Sequence, residues 1–126
     1  MVLRSAHRTP HTAYLAPANG AIMNIWVADP TTPSSAHQLT DSLSDIYDYS
    51  VSPDGGKIAF TEKNTNACTM DINLLDMDTG EIKPLTNCAD AECKTPVWRP
   101  DGQQIAYERI ELNTSLQINA SLTRKG

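Results

Sequence analysis

The chain has 126 residues and 13.8 kDa, with ten Lys+Arg against fifteen Asp+Glu and a formal net charge of −5. That length suits one ordinary domain, and 40% hydrophobic with 20% charged residues exclude a disordered chain. An acidic balance without a Lys/Arg cluster excludes a nucleic-acid footprint, and no apolar run approaches the roughly 20 residues of a membrane helix.

Residues 1–10 match nothing later in the chain, and an unstructured or truncated segment is expected there. The first fifteen residues, MVLRSAHRTPHTAYL, also lack the apolar stretch of a signal peptide. From residue 11 a repeat sets in. Ala13-Tyr14 returns as Ala59-Phe60 and again as Ala106-Tyr107. Ile25-Trp26-Val27-Ala28-Asp29 returns as Ile72-Asn73-Leu74-Leu75-Asp76, 47 residues on, and Gln38-Leu39-Thr40 as Pro84-Leu85-Thr86, 46 residues on. Ser52-Pro53-Asp54-Gly55-Gly56-Lys57-Ile58 returns as Arg99-Pro100-Asp101-Gly102-Gln103-Gln104-Ile105, again at 47. A fixed period carried by several markers is the signature of a repeat architecture.

The unit is β. Its apolar segments are short, rich in Ile, Val, Thr and aromatics, and separated by turn residues. Pro53-Asp54-Gly55 and Pro100-Asp101-Gly102 read as turns: Pro presets φ, Asp bonds nearby backbone, and Gly takes positive φ without penalty. Asp76-Met77-Asp78-Thr79-Gly80 reads as a second hairpin turn rather than a calcium loop, which needs ligands over twelve residues and flanking helices. One period therefore holds four strands: 46–51, 57–62, 70–76 and 82–86. Ile58 and Phe60 fall on one face of the second strand and Ala59 and Thr61 on the other, which suits a sheet covered on both sides. The fold class is all-β, an incomplete β-propeller of four-stranded antiparallel blades. Residues 11–40 form a partial first blade of three strands, 41–86 a complete second blade and 87–120 a partial third, with 121–126 as a tail. About two and a half blades cannot close a ring that takes typically 4–8. A piece of a longer propeller is the expected origin, and the open blade edges invite self-association.

DYSVSPDGGKIAF (residues 48–60), PVWRPDGQQIAYER (residues 96–109), Tyr14-Leu15-Ala16-Pro17 and the Leu-Thr endings resemble the WD40-like repeat of TolB-type β-propellers. The same repeat occurs in the propeller domains of tricorn-type and dipeptidyl-peptidase-type proteins. The resemblance covers residues 11–118. It implies a fold and not a reaction: such propellers bind proteins, peptides or glycans, or gate a hydrolase domain elsewhere in the chain. It further implies a periplasmic or extracellular home. The leading expectation is a non-catalytic binding or scaffold module. The alternative is the propeller portion of a prolyl-oligopeptidase-like or dipeptidyl-peptidase-like hydrolase, without its catalytic domain.

Antiparallel strands place the loops on two rims, with the Pro-Asp-Gly and Asp-Thr-Gly turns on one. Cys68, Cys88 and Cys93 fall on the other. A Cys88–Cys93 disulfide pinning the inter-blade loop is expected; its rivals are a bridge from Cys68 to one of them, and free thiols in a reducing compartment. The acidic connection DSLSDIYD and the tyrosines around it make Asp45, Tyr47, Asp48 and Tyr49 the candidate rim-binding residues. Trp26 and Trp98 read as core. His7 and His11, with Pro10 between them and no third ligand, do not make a metal site. No Gly-x-Ser-x-Gly elbow and no phosphate loop occurs, so neither a cofactor nor catalysis is expected. Asn113-Thr114-Ser115 and Asn119-Ala120-Ser121 match the N-glycosylation pattern.

Overall fold

The structure is a computed structural model that describes residues 2–3, 11–65, 67–112 and 118–124, with side chains for 11–65 and 67–112. Every regular element among them is a strand. The first sheet runs in chain order through β1 (Val2–Leu3), β2 (His11–Ala18), β3 (Ile22–Asp29) and β4 (Thr32–Gln38), each antiparallel to the next. The second comprises β5 (Ile46–Val51), β6 (Lys57–Lys63), β7 (Met70–Asp76) and β8 (Ile82–Pro84), and the third β9 (Ala91–Trp98), β10 (Gln104–Glu111) and β11 (Ile118–Arg124). A single parallel bridge, Met70 to Glu92, joins the second and third into one continuous seven-stranded order, β11-β10-β9-β7-β6-β5, with β8 on β7.

The turns show why these strands form. Gly55 and Gly102 sit at φ 75° and 73°, conformations that cost other residues a Cβ clash. In each, the glycine N–H closes the turn on the residue three back, Ser52 or Arg99. The preceding aspartate accepts from the backbone two residues on: Asp54 from Gly56 at 2.9 Å, Asp101 from Gln103 at 2.9 Å. Asp76 accepts from Asp78 and Thr79 in the β7–β8 turn. Met77 N–H donates to the Gly56 carbonyl, so both turns of the middle sheet share one rim.

Two apolar cores hold the sheets together. Ile58 and Phe60 pack with Leu75, Ile46 and Val51 against Ala13, Ile25 and Val27 of the first sheet. Ala59, Ile72 and Leu74 pack against Cys93, Trp98 and Ile105 of the third. The middle sheet is thus buried on both faces, as its alternation of large and small residues requires. Two side chains tie the junctions: the Tyr49 hydroxyl donates to the Ala13 carbonyl at 2.9 Å, and the Trp98 indole N–H donates to the Ser50 carbonyl at 2.9 Å.

Three expectations change. Val2–Leu3 is a strand paired with β2, so residues 1–10 are not unstructured throughout and the first sheet has four strands rather than three. Residues 121–124 are not a tail, because β11 runs to Arg124. The fourth strand of the middle sheet stops at Pro84 instead of residue 86. Beyond Pro84, the Ile72 N–H is taken by the Thr86 hydroxyl at 2.9 Å, and a side chain replaces the ladder there. The all-exposed Ile-Lys-Pro of β8 suits an outer edge, since Lys and Pro both discourage further strand pairing.

Phe60 is among the largest fully buried side chains and fills the first junction. Phe60→Ala is expected to destabilise the chain by about 3–5 kcal/mol, measured as a lowered urea midpoint with the m-value unchanged.

Candidate functional site

Opposite the tight turns lies a rim built by a repeated side-chain clasp. In the middle sheet, Asp71 Oδ1 accepts from the Thr86 hydroxyl at 2.7 Å and from the Cys88 N–H at 2.7 Å. In the first sheet Asn24 occupies the same place. Its Oδ1 accepts from the Thr40 hydroxyl at 2.8 Å and from the Ser42 N–H at 2.7 Å. The Thr40 and Thr86 hydroxyls in turn accept from Ile25 N–H and Ile72 N–H. Each clasp folds the chain leaving the outer strand back toward the next blade. The Leu-Thr marker of the repeat is one half of this device, and Asn24 and Asp71 are the half that sequence reasoning missed. Both stand immediately before the recurrent isoleucine, 47 residues apart, which is the signal that could have found them.

A groove of about 580 Å³ opens beside the second clasp, lined by Glu62, Asn64, Asp71 and Asn73 and by residues 84–87. Glu62 and Asp71 are directly opposite across β6 and β7. Two like charges so placed repel, and polar neighbours offset this. Asn73 donates to Glu62 Oε1 at 3.1 Å, and the Ser42 hydroxyl donates to Glu62 Oε2. Asn64 donates to Asp71 Oδ2 at 3.1 Å. The lining offers two carboxylates, three amides and the Thr86 hydroxyl, so it presents hydrogen bonds and negative charge.

The residues singled out from the acidic connection lie on and near this rim, with diverse roles. Asp45 accepts from Met23 N–H at 2.9 Å and pairs with Lys63 at 3.8 Å. Asp48 Oδ2 accepts from Thr95 N–H at 3.1 Å, across the junction with the third sheet. Tyr49 is the tie to Ala13, and burial pushes its phenol up. Only Tyr47 of the four is exposed, at 50%, with the Lys94 ammonium 5.3 Å from its ring centre. Leu43, three residues before Ile46, is 77% exposed on the same connection.

Cys88 and Cys93 are joined by a disulfide, with their Cα atoms 6.3 Å apart, and Cys68 is free and exposed. The bond staples the inter-blade loop to the start of β9. The Arg109 guanidinium lies 3.8 Å from Cys93 Sγ. Among the described residues no group of three or more His, Cys, Asp or Glu is placed to hold a metal ion. Asn113 lies outside the described residues, and of Asn119 only the backbone, within β11, is described.

On the opposite rim Pro53, Asp54, Gly55, Pro100, Asp101 and Gly102 build the two tight turns and are absorbed in them. A side chain at Gly102 would meet Pro53 Cδ at 3.8 Å, so turns of successive blades lie close together. The Arg99 guanidinium beside Asp101, with the Gln103 N–H, holds the Asp101 carboxyl down at about 2. The Lys57 ammonium and the turn N–H groups lower Asp76 likewise.

No family model and no curated protein matches the sequence. Solved structures do. A TolB protein of Agrobacterium tumefaciens matches at TM-score 0.67 and 22% identity, over 90% of this chain and 41% of that one. TolB from Acinetobacter baumannii matches at 0.69 and 18%, over 90% of this chain and 30% of that one. The β-propeller domain of the Trilobed protease from Pyrococcus furiosus, described as having an open velcro topology, matches at 0.57 and 15%, over 93% and 39%. Stacked antiparallel sheets and these likenesses define an incomplete β-propeller. Its sheets are arranged like those of the two TolB proteins, and the chain spans less than half of either.

Two outcomes follow from this geometry. Replacing both Cys88 and Cys93 by Ser is expected to cost about 2 kcal/mol, the loop-closure value for so short a loop, and reductant should do the same to the parent chain in denaturant unfolding. The depressed Asp101 carboxyl contributes stability above the ordinary carboxylate value of about 3.9. That contribution is lost as pH falls toward 2, because the unfolded chain then binds the proton more readily. Carbon-detected NMR titration should place the Asp101 midpoint near about 2, and Arg99→Ala should move it upward.

Proposed function

We propose that this chain is a non-catalytic binding module that recognises an extended segment of a protein, peptide or glycan on the rim carrying the clasps. The observation that carries this reading is the open groove beside Asp71, whose two carboxylates and three amides offer charge and directed hydrogen bonds over about 580 Å³. Ser42 joins it to the exposed Leu43 through its hydrogen bond to Glu62. Polar recognition and an apolar anchor therefore share one rim, a pairing that suits a ligand with basic or amide groups beside an apolar side chain. Likeness to the TolB propellers is consistent with this reading. The Cys88–Cys93 bond supports an oxidising compartment, periplasmic or extracellular.

Panning a random peptide display library on the purified chain tests the proposal. Enriched peptides should carry Lys, Arg or amide side chains, and Glu62→Ala and Leu43→Ala should each weaken their binding by about tenfold, equivalent to about 1.4 kcal/mol, while the melting temperature stays close to that of the parent. Peptides that bind both variants as well as the parent would place recognition elsewhere. Hydrolysis of a peptide by the purified chain, abolished by one point substitution, would refute the non-catalytic reading.

A further inference from the structure

Between the second and third sheets lie two buried polar atoms that, among the described residues, have no hydrogen-bond partner: Asp48 Oδ1 and Thr61 Oγ1. Thr61 has no exposed surface at all. Leaving such atoms unpaired costs most of their desolvation, and a native structure with two of them side by side calls for an occupant.

The two are neighbours by register. Asp48 of β5 lies directly opposite Thr61 of β6, so their side chains leave the same face of the sheet. That face is the one carrying Ala59 against the third sheet. The other oxygen of Asp48 identifies the same face independently, because it accepts from Thr95 N–H of β9. Local backbone is bent on both sides of the site. The β5–β6 register shifts between Ile46 and Asp48, and the β9–β10 register shifts opposite Thr95, which adopts φ 58°. Both strands that supply Asp48 and Thr95 therefore bulge at this level.

We infer that a single buried water molecule bridges Asp48 Oδ1 and Thr61 Oγ1 and belongs to the junction of the second and third blades. Water matches the groups present: it donates to the carboxylate oxygen and either accepts from or donates to the hydroxyl. Sites of this kind hold water when two to four polar partners converge. A cation would call for more charged ligands, and among the described residues no group of three or more His, Cys, Asp or Glu stands together. The bridge completes a path from β6 through water, Asp48 and Thr95 N–H to β9.

The test is a crystal structure of the full chain at a resolution that shows ordered solvent, together with thermal melts of Thr61→Val and Thr61→Ser. One density peak is expected at roughly 2.6–3.2 Å from both oxygens, present in the parent and in Thr61→Ser and absent in Thr61→Val. Thr61→Val should melt about 4 °C or more below the parent, because it strips the water of a partner and strands the Asp48 oxygen. A direct bond between Asp48 and Thr61 with no density would overturn the inference. So would a peak with six or more oxygens at about 2.3–2.6 Å, which is a cation. If Thr61→Val melts at or above the parent temperature, the hydroxyl has no bound partner and the inference fails on that ground alone.

Discussion

Ile58, Ala59, Phe60 and Thr61 are consecutive, and all four are sealed from water. A strand with one wet face would show alternation; this one has none, because a sheet covers it on either side. The rest of the molecule depends on that constraint. Large side chains point toward the first sheet and small ones toward the third, so a one-residue slip of β6 would drive Phe60 into the space that Ala59 fills. The opposing partner differs accordingly: Ala13, Ile25 and Val27 on the Phe60 side, Trp98 and Ile105 on the Ala59 side.

Much of this was legible from the chain itself, for reasons that can be named. The Pro-Asp-Gly turns use residues whose backbone preferences act locally, so their positions needed no tertiary information. Strand faces followed from period two, and β7 lies at residues 70–76 as the pattern predicts. What was not legible involves partners remote in sequence. Val2–Leu3 is too short to read as a strand by itself and is one because β2 presents an edge. The end of β8 depends on a threonine hydroxyl replacing a backbone group two residues beyond the strand. Asp45, Asp48 and Tyr49 look like surface ligands in a polar, acidic stretch, yet each is engaged by backbone of another sheet. An acidic side chain beside a propeller junction is as useful for capping a neighbour's N–H as for meeting a ligand, and composition does not distinguish the two.

The two rims differ in what their polar groups have left to give. On the turn rim, Asp54, Asp76 and Asp101 spend their oxygens on the N–H groups of their own turns and on Lys57 or Arg99. Those loops are short, self-satisfied and positioned by glycine, which leaves them rigid and poor in free hydrogen-bonding capacity. The clasp rim is built differently. Its connections are longer, and order comes from Asn24, Asp71 and a disulfide rather than from turn geometry. Order imposed by side chains from below leaves the upper surface of a loop open to vary.

That difference argues for where recognition can arise on such a scaffold. A ligand-binding surface needs a fixed frame, so that little entropy is lost on association, and also groups not already consumed by folding. The clasps meet the first need by anchoring residues 40–42 and 86–88 to the sheets beneath them. The second is met in part by Leu43, which is exposed, and by Glu62 and Asn73, which bond each other but keep surface toward the groove. On the opposite rim the frame is equally fixed, but the frame and the polar groups are the same atoms. Substituting there would dismantle a turn before it altered a binding preference. Substituting around the groove would alter charge and shape while the two apolar cores, which lie on the faces between sheets, keep the blades in place.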